Sequence, residues 1–285
     1  MSFLHNLGAP GAAVLALILA APAVAAAQTA TAPPATGTQA PPATTYEPKV
    51  GQAGKDVVWV PSPQSTVEKM LDVAKVTPQD FVVDLGSGDG RNVIAAAKRG
   101  ARGLGVEYNP DMVELSKRNA AKEGVADKAQ FVQGDMYEAD FQQASVLALF
   151  LLTDNLSKLR PKFATLKPGT RIVANTFGIE GWTAEETLQI EGDCTSWCTV
   201  LLYYVPANVA GSWQMPQGPL TLKQDFQTLS GTLGSAAIES PKIRGEELSF
   251  TAGGAQYSGK VSGDSITGTV KTNGKDTPWT AKRQK

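Results

Sequence analysis

Four acidic residues, Asp84, Glu107, Asp135 and Asp154, stand at or just beyond the ends of apolar runs. Three glycines, Gly86, Gly88 and Gly90, follow the first acid at alternate positions. Glycine lets a turn adopt φ > 0 and lets the backbone come close to a ligand, with the N–H groups of a following helix pointing at it. A dinucleotide fingerprint reads G-x-G-x-x-G. Here the spacing is G-x-G-x-G, with Asp84 ahead of the loop and Asp89 inside it. Those two carboxylates would repel a pyrophosphate and accept a ligand that carries an ammonium group. About 20 residues on, Gly103-Leu104-Gly105-Val106-Glu107 is an apolar run closed by an acid, from which a carboxylate can hold ribose hydroxyls. The chemistry written here is capture of a nucleoside whose far end is cationic.

The elements that must position these groups follow from periodicity. Phe81-Val82-Val83 with Asp84-Leu85 reads as a buried strand, the glycines as a turn, and Asn92 to Arg99 as a helix, the first half of a βαβ unit. Ahead of it, Val67, Met70, Leu71 and Ala74 mark an amphipathic helix, with Ser62 placed either to cap it or to touch a ligand. Ser145 to Leu152 reads as a fully buried parallel strand, Asn155 to Thr165 as a helix and Arg171 to Phe177 as a fifth strand. Thr187 to Glu191 and Thr199 to Val205 close the region as an antiparallel hairpin. The predicted fold is α/β: a doubly wound, mostly parallel Rossmann-like sheet with ligand at the carboxyl ends of its strands, where the four acids converge. After Pro206 the pattern changes to short alternating segments separated by glycines, which predicts a small antiparallel all-β extension. Gly211-x-Trp213 at its start and Trp279-x-x-x-Arg283 at its end resemble the Trp–Arg closure of calycin barrels.

Lys+Arg 26 against Asp+Glu 27 gives no basic footprint for nucleic acid. The single histidine is His5. It lies in an alanine-rich N-terminal segment whose apolar run ends in Val24-Ala25-Ala26-Ala27, which reads as an export signal over 1–27. A mature chain without histidine excludes Ser-His-Asp and Cys-His nucleophilic catalysis and His-ligated zinc, and two cysteines cannot make a thiolate metal site, so no metal is expected. In an exported chain Cys194 and Cys198 are expected to form a local disulfide; two free thiols are the other reading. The Ala/Thr/Pro-rich stretch that follows the signal reads as a flexible linker over 28–55. The α/β domain is then expected over 56–206 and the β-meander over 207–285.

The D-L-G-S-G-D-G loop, the acid at Glu107 and the Gly134-Asp135-Met136 step resemble the Rossmann-like S-adenosylmethionine-dependent methyltransferases. The resemblance implies that Asp84, Gly86, Ser87, Gly88 and Gly90 cradle the methionine part of the cofactor. It implies further that Glu107 binds the ribose, and that Asp135 with Met136 contacts the adenine. Val60-Pro61-Ser62, Gly105-x-Glu107-x-Asn109-Pro110 and Lys167-Pro168-Gly169-Thr170-Arg171 sharpen the likeness. They resemble the protein-lysine methyltransferases of the mitochondrial ATP synthase c-subunit and adenine nucleotide translocase, with their bacterial relatives. The likeness runs from Trp59 to Trp182.

That subgroup implies a protein partner presenting a lysine, with membrane proteins admitted as acceptors. Methyl transfer to an amine needs alignment of nucleophile and methyl, and a lysine must first lose a proton from a reference pKa of about 10.4. Asp154 and Asn155, at the end of the fourth strand, are candidates to orient the amine or water; Asp154 reads equally as the N-cap of the following helix. Thr153-Asp154-Asn155-Leu156 stands where many amino-methylating enzymes carry Asn/Asp-Pro-Pro-aromatic, a signature the lysine subgroup also lacks. Phe177 and Trp182 are candidates to wall a lysine channel, since aromatic faces favour cations. Two other readings stay open: an exported, non-catalytic nucleoside-binding protein that recognises partners through the β extension, and a small-molecule methyltransferase.

Overall fold

The computed structural model describes residues 46–192 and 194–284. The expected export signal and positions 28–45 of the expected linker lie outside them. Regular structure opens with α1 (Gln64–Val73), whose Thr66, Val67, Met70 and Leu71 recur at helical spacing and bury one face. There follow β1 (Phe81–Leu85), α2 (Arg91–Lys98), β2 (Arg102–Glu107), α3 (Pro110–Lys122), β3 (Ala129–Gln133), β4 (Val146–Leu149), α4 (Thr153–Phe163) and β5 (Arg171–Asn175). The hairpin β6 (Glu186–Gln189) and β7 (Thr199–Tyr204) completes the sheet.

Spatial order is β3-β2-β1-β4-β5-β7-β6. β1 to β5 are parallel neighbours, and β7 runs antiparallel to both β5 and β6. The direction of winding reverses between β1 and β4, which opens a crevice beyond their carboxyl ends. Val82, Val83, Leu147, Leu149 and Ile172 are fully buried, as central parallel strands covered on both faces require. This is the doubly wound, mostly parallel sheet expected from the strand–helix alternation.

The fourth strand is shorter than expected. It stops at Leu149, and Phe150 to Leu152 leave the ladder to enter α4, whose N-cap position is Leu152. Helix α4 therefore starts at Thr153, and Asp154 sits in its first turn, where its charge complements the helix dipole, rather than capping it. The linker expected over 28–55 also ends early. Tyr46 to Lys55 are tied down: the Gly51 N–H donates to the Trp59 carbonyl at 2.8 Å, the Trp59 N–H returns to Gln52 at 2.9 Å, and Lys55 pairs with Asp135. The segment is a strap, not a spacer.

Nine further strands follow: β8 (Gly211–Met215), β9 (Gly218–Asp225), β10 (Thr228–Leu233), β11 (Ala236–Ala237), β12 (Glu239–Arg244), β13 (Glu247–Ala252), β14 (Ala255–Ser262), β15 (Ser265–Thr272) and β16 (Lys275–Arg283). Every neighbour is antiparallel and β16 returns to pair with β8. The two outer strands, β11 and β12, are consecutive in sequence. Ile238 joins them and donates to the Gly231 carbonyl at 3.0 Å, so the meander rolls up into a barrel-like sheet. Its interior is filled by Trp213, Leu222, Ile243, Phe250, Ile266 and Trp279. Arg283 lies in register with Trp213, its guanidinium 4.2 Å from the indole centroid, and donates to the carbonyls of Ala210 at 2.5 Å and Asn208 at 2.6 Å. The Trp–Arg closure suggested by the sequence is present. The sheet docks through Phe226 in the β9–β10 turn, whose ring is 4.7 Å from that of Trp182.

Candidate active site

The carboxyl ends of β1, β2 and β3 and the strap flank an open cleft, lined among others by Gly86, Glu107, Tyr108, Asp135 and Met136. A smaller one lies beside it, lined by Ser62, Asp84, Ser87, Gly88 and Asn92. Trp59, Val60, Gly86 and Phe150 line both. The two are lobes of one cleft that meet at Phe150.

The glycine loop has the backbone its sequence demands, with φ of 75° at Gly86, 55° at Gly88 and 85° at Gly90. At Gly88 an added Cβ would come within 2.7 Å of the Trp59 indole nitrogen, so the strap lies directly on the loop. Gly90 differs from the other two. It is the left-handed residue at the N-terminus of α2, a Cβ there would strike the Phe131 ring at 2.7 Å, and it lines neither lobe. Its place is explained by packing rather than by approach to a ligand.

Glu107 is fixed by two backbone donors. The Gly88 N–H donates to its Oε2 and the Asn109 N–H to its Oε1, both at 2.9 Å. Each oxygen keeps capacity for a further donor from the cleft. Asp89, outside the larger lobe, accepts from Arg91 Nε at 2.9 Å, and Arg91 in turn donates to the Ser62 carbonyl at 2.5 Å, tying strap to loop. Ser62 does not cap α1, which has no side-chain cap; its buried hydroxyl accepts from Asn175 Nδ2 at 3.0 Å.

The small lobe is polar and incompletely satisfied. Asp84 is 3% exposed. Burial pushes its carboxyl well above the usual carboxylate range and the charges of Glu107 and Asp89 add to the rise; only the hydrogen bond from Asn92 Nδ2, at 3.1 Å, opposes it. Ser87 Oγ and Asn92 Oδ1 are buried without any partner among the described residues. Orphaned buried polar atoms ringing a strained acid call for a polar ligand. A cationic amino-acid end fits them, a diol fits Glu107, and a base with an exocyclic amino group fits Asp135 beside apolar Met136.

Asp135 is engaged by the chain itself. The Tyr137 N–H donates to its Oδ1 at 2.9 Å and Lys55 pairs with its Oδ2; the Lys55 hydrogen bond is the larger cause that holds its carboxyl below the usual range. Lys55 also stands 5.1 Å from the Tyr108 ring centroid. Lys55→Ala should free Asp135 and tighten cofactor binding by a few-fold, as expected for an exposed ion pair; calorimetry showing unchanged or weaker binding would oppose that expectation.

Of the residues predicted for the acceptor side, the structure brings only Phe177 to a cluster at the cleft. Asp154 is exposed and lines neither lobe. Asn155 is buried under the surface, its Nδ2 donating to the Tyr137 hydroxyl at 2.8 Å and its Oδ1 unpaired, and it too lines neither lobe. Trp182 is 4% exposed and packs between Tyr203 and Phe226, so it serves the core and the docking of the β-sheet. Phe177 meets Phe150 with ring centroids 6.2 Å apart and Trp197 at 5.6 Å. Sequence reading missed both partners, although Phe150 directly follows β4 and Trp197 stands between the two cysteines. Those cysteines, Cys194 and Cys198, are joined by a disulfide in the β6–β7 turn.

Residues 84–186 match the model of the ANTKMT methyltransferase domain family. A protein-lysine N-methyltransferase of Saccharolobus islandicus is 41% identical over 152 residues, 52% of this chain and 94% of that protein. The chain belongs to this methyltransferase family. Its methyl donor is S-adenosylmethionine. The ATP synthase c-subunit lysine N-methyltransferase of Rattus norvegicus is 36% identical over 140 residues, 49% of this chain and 64% of that protein, so the methyltransferase spans somewhat under two thirds of that relative. A solved structure described as an RNA methyltransferase from Salinibacter ruber, in complex with S-adenosyl-L-homocysteine, is 43% identical, with a TM-score of 0.49, covering 53% of this chain and 96% of that one. These matches cover about half of the chain.

Proposed function

We propose that this methyltransferase methylates lysine side chains of proteins in the cell envelope. The observation that carries the lysine reading is the 41% identity to a protein-lysine N-methyltransferase across 94% of that protein's length. The ATP synthase c-subunit enzymes among its relatives extend the acceptor class to membrane-embedded proteins. The apolar segment Ala12 to Ala27, closed by small residues, and the Cys194–Cys198 disulfide support an exported, oxidising location.

In this reading Asp84, Ser87 and the Gly86–Gly88 backbone hold the methionine end, Glu107 the ribose hydroxyls, and Asp135 with Met136 the adenine. S-adenosylmethionine supplies a methyl group on a sulfonium, which leaves as a neutral thioether when the amine lone pair takes the methyl. The chain's own task is to deliver the amine neutral and in line. No histidine is available beyond His5, so loss of the ammonium proton is left to desolvation, which lowers a lysine pKa, and to water. Phe150, which lines both lobes, supplies apolar surface where the amine meets the cofactor site. Asp154, exposed at the start of α4, would act by orienting the approaching substrate, and Asn155 by fixing Tyr137 behind it.

The test is incubation with radiolabelled S-adenosylmethionine and an envelope fraction, followed by protease or ribonuclease and by amino-acid analysis. Label that is protease-sensitive and recovered as N-methyl-lysine is the expected result. Label released by ribonuclease, or confined to small molecules, would overturn the proposed acceptor.

A further inference from the structure

Among the described residues, seven aromatic rings, Phe81, Tyr108, Tyr137, Phe141, Tyr204, Trp213 and Phe226, already carry a lysine or arginine of this chain over a face. The three rings that meet at the cleft carry none. Phe150 lines both lobes; Phe177 lies nearly parallel to it, with 14° between the planes; Trp197 closes the group at 5.6 Å from each.

Trp197 is not placed as packing alone would place it. It is 38% exposed, whereas Trp182, Trp213 and Trp279 are all below 5%. Its backbone has φ of 61°, a conformation unfavourable for a bulky residue, and Thr176, which aims Phe177, has φ of 63°. Strain of this kind persists only where the surroundings enforce it, and it concentrates at functional sites. Two restraints hold Trp197: the Cys194–Cys198 bridge on either side of it, and the Thr66 hydroxyl, which donates to its carbonyl at 3.2 Å.

We propose that Phe150, Phe177 and Trp197 form an aromatic receptor for the ammonium of the acceptor side chain, and that the disulfide holds Trp197 in it. The proposal rests on the lysine reading given above. Ring faces attract an ammonium electrostatically and keep that attraction when it is methylated, so the receptor suits lysine and its mono- and dimethylated forms alike. Because ring faces favour the charged amine, the receptor docks the ammonium, and its proton is lost to water as the amine leaves the rings for the point where the two lobes meet.

The test separates acceptor from cofactor. Trp197→Ala should raise KM for the lysine-bearing protein about tenfold, the scale of a desolvated cation–π contact, while S-adenosylhomocysteine affinity stays within about twofold. Trp197→Phe should recover most of the loss, and the Cys194→Ser/Cys198→Ser double variant should repeat the split. An unchanged KM in Trp197→Ala, or a rise in KM matched by an equal loss of cofactor affinity, would overturn the receptor. A second readout needs no turnover. In 5-fluorotryptophan-labelled protein, with the Trp197 resonance assigned by its loss in Trp197→Phe, millimolar glycine peptide carrying one lysine should shift that resonance. The norleucine version should not. A shift with both peptides, or with neither, would overturn it. Failure of the wild type to label any lysine, with the peptide shift present, would strike the envelope-acceptor proposal and leave the receptor standing.

Discussion

Glu107→Ala is expected to weaken S-adenosylmethionine binding by about two to four orders of magnitude and to abolish detectable methyl transfer with it. Its carboxylate is held from behind by the Gly88 and Asn109 N–H groups at 2.9 Å, so its free lone pairs reach a ligand without further ordering. Two charge-assisted hydrogen bonds to a diol are each worth about 1.5–3 kcal/mol when one partner is removed, and every 1.4 kcal/mol is tenfold in affinity. The same truncation also orphans the Gly88 N–H inside the loop, which adds to the loss. Glu107→Gln retains one acceptor oxygen and should fall between the two. Calorimetry decides the matter: a Glu107→Ala protein that binds within about fivefold of wild type would remove Glu107 from the ribose site.

Asp84→Asn is expected to move stability and binding in opposite directions. Buried and flanked by Glu107 and Asp89, the Asp84 carboxyl has its folded-state pKa raised above the unfolded value of about 3.9. The folded state therefore holds that proton more tightly than the unfolded chain. Stability falls as pH rises from the ordinary carboxylate range through the folded pKa, and below both values the penalty is absent. Asparagine removes it, so the variant should melt a few degrees above wild type near neutral pH, with about 2–4 °C per kcal/mol for a chain of this size, and match wild type at strongly acidic pH. A cationic ligand reverses the preference by favouring the ionised carboxyl. Cofactor affinity of the wild type should thus rise with pH through the folded pKa of Asp84, and Asp84→Asn should bind about 10–100-fold more weakly with a flatter profile. Melting curves and calorimetry across pH check both signs; a variant that is less stable and binds as well as wild type would show that Asp84 is structural.

The lining of the cleft at the strand ends is legible in the order of residues alone. Asp84, Gly86, Ser87, Gly88, Glu107, Asp135 and Met136 all line one lobe or the other, because strand ends in a doubly wound sheet are brought together by topology alone. Gly90 matches the motif by spacing but answers to Phe131 packing. The acceptor side is less legible for a different reason. Its residues come from connections rather than strand ends, and one early break in β4 turns Asp154 outward on α4 and leaves Phe150 facing the cleft. Trp182 and Trp197 are both tryptophans near the end of the sheet. Tyr203 and the docked Phe226 bury the first, whereas the second stands in the disulfide turn.

By itself the sequence determined the parallel sheet, the glycine loop and the acid that closes the second strand, since each depends on local period or spacing. The tertiary structure decided that residues 46–60 form a strap over the loop, that the β extension rolls up under a Trp–Arg closure, and that three aromatics distant in sequence share one face. Such contacts depend on which elements meet across long chain separations, and hydrophobic pattern records only that a residue is to be buried, not against what.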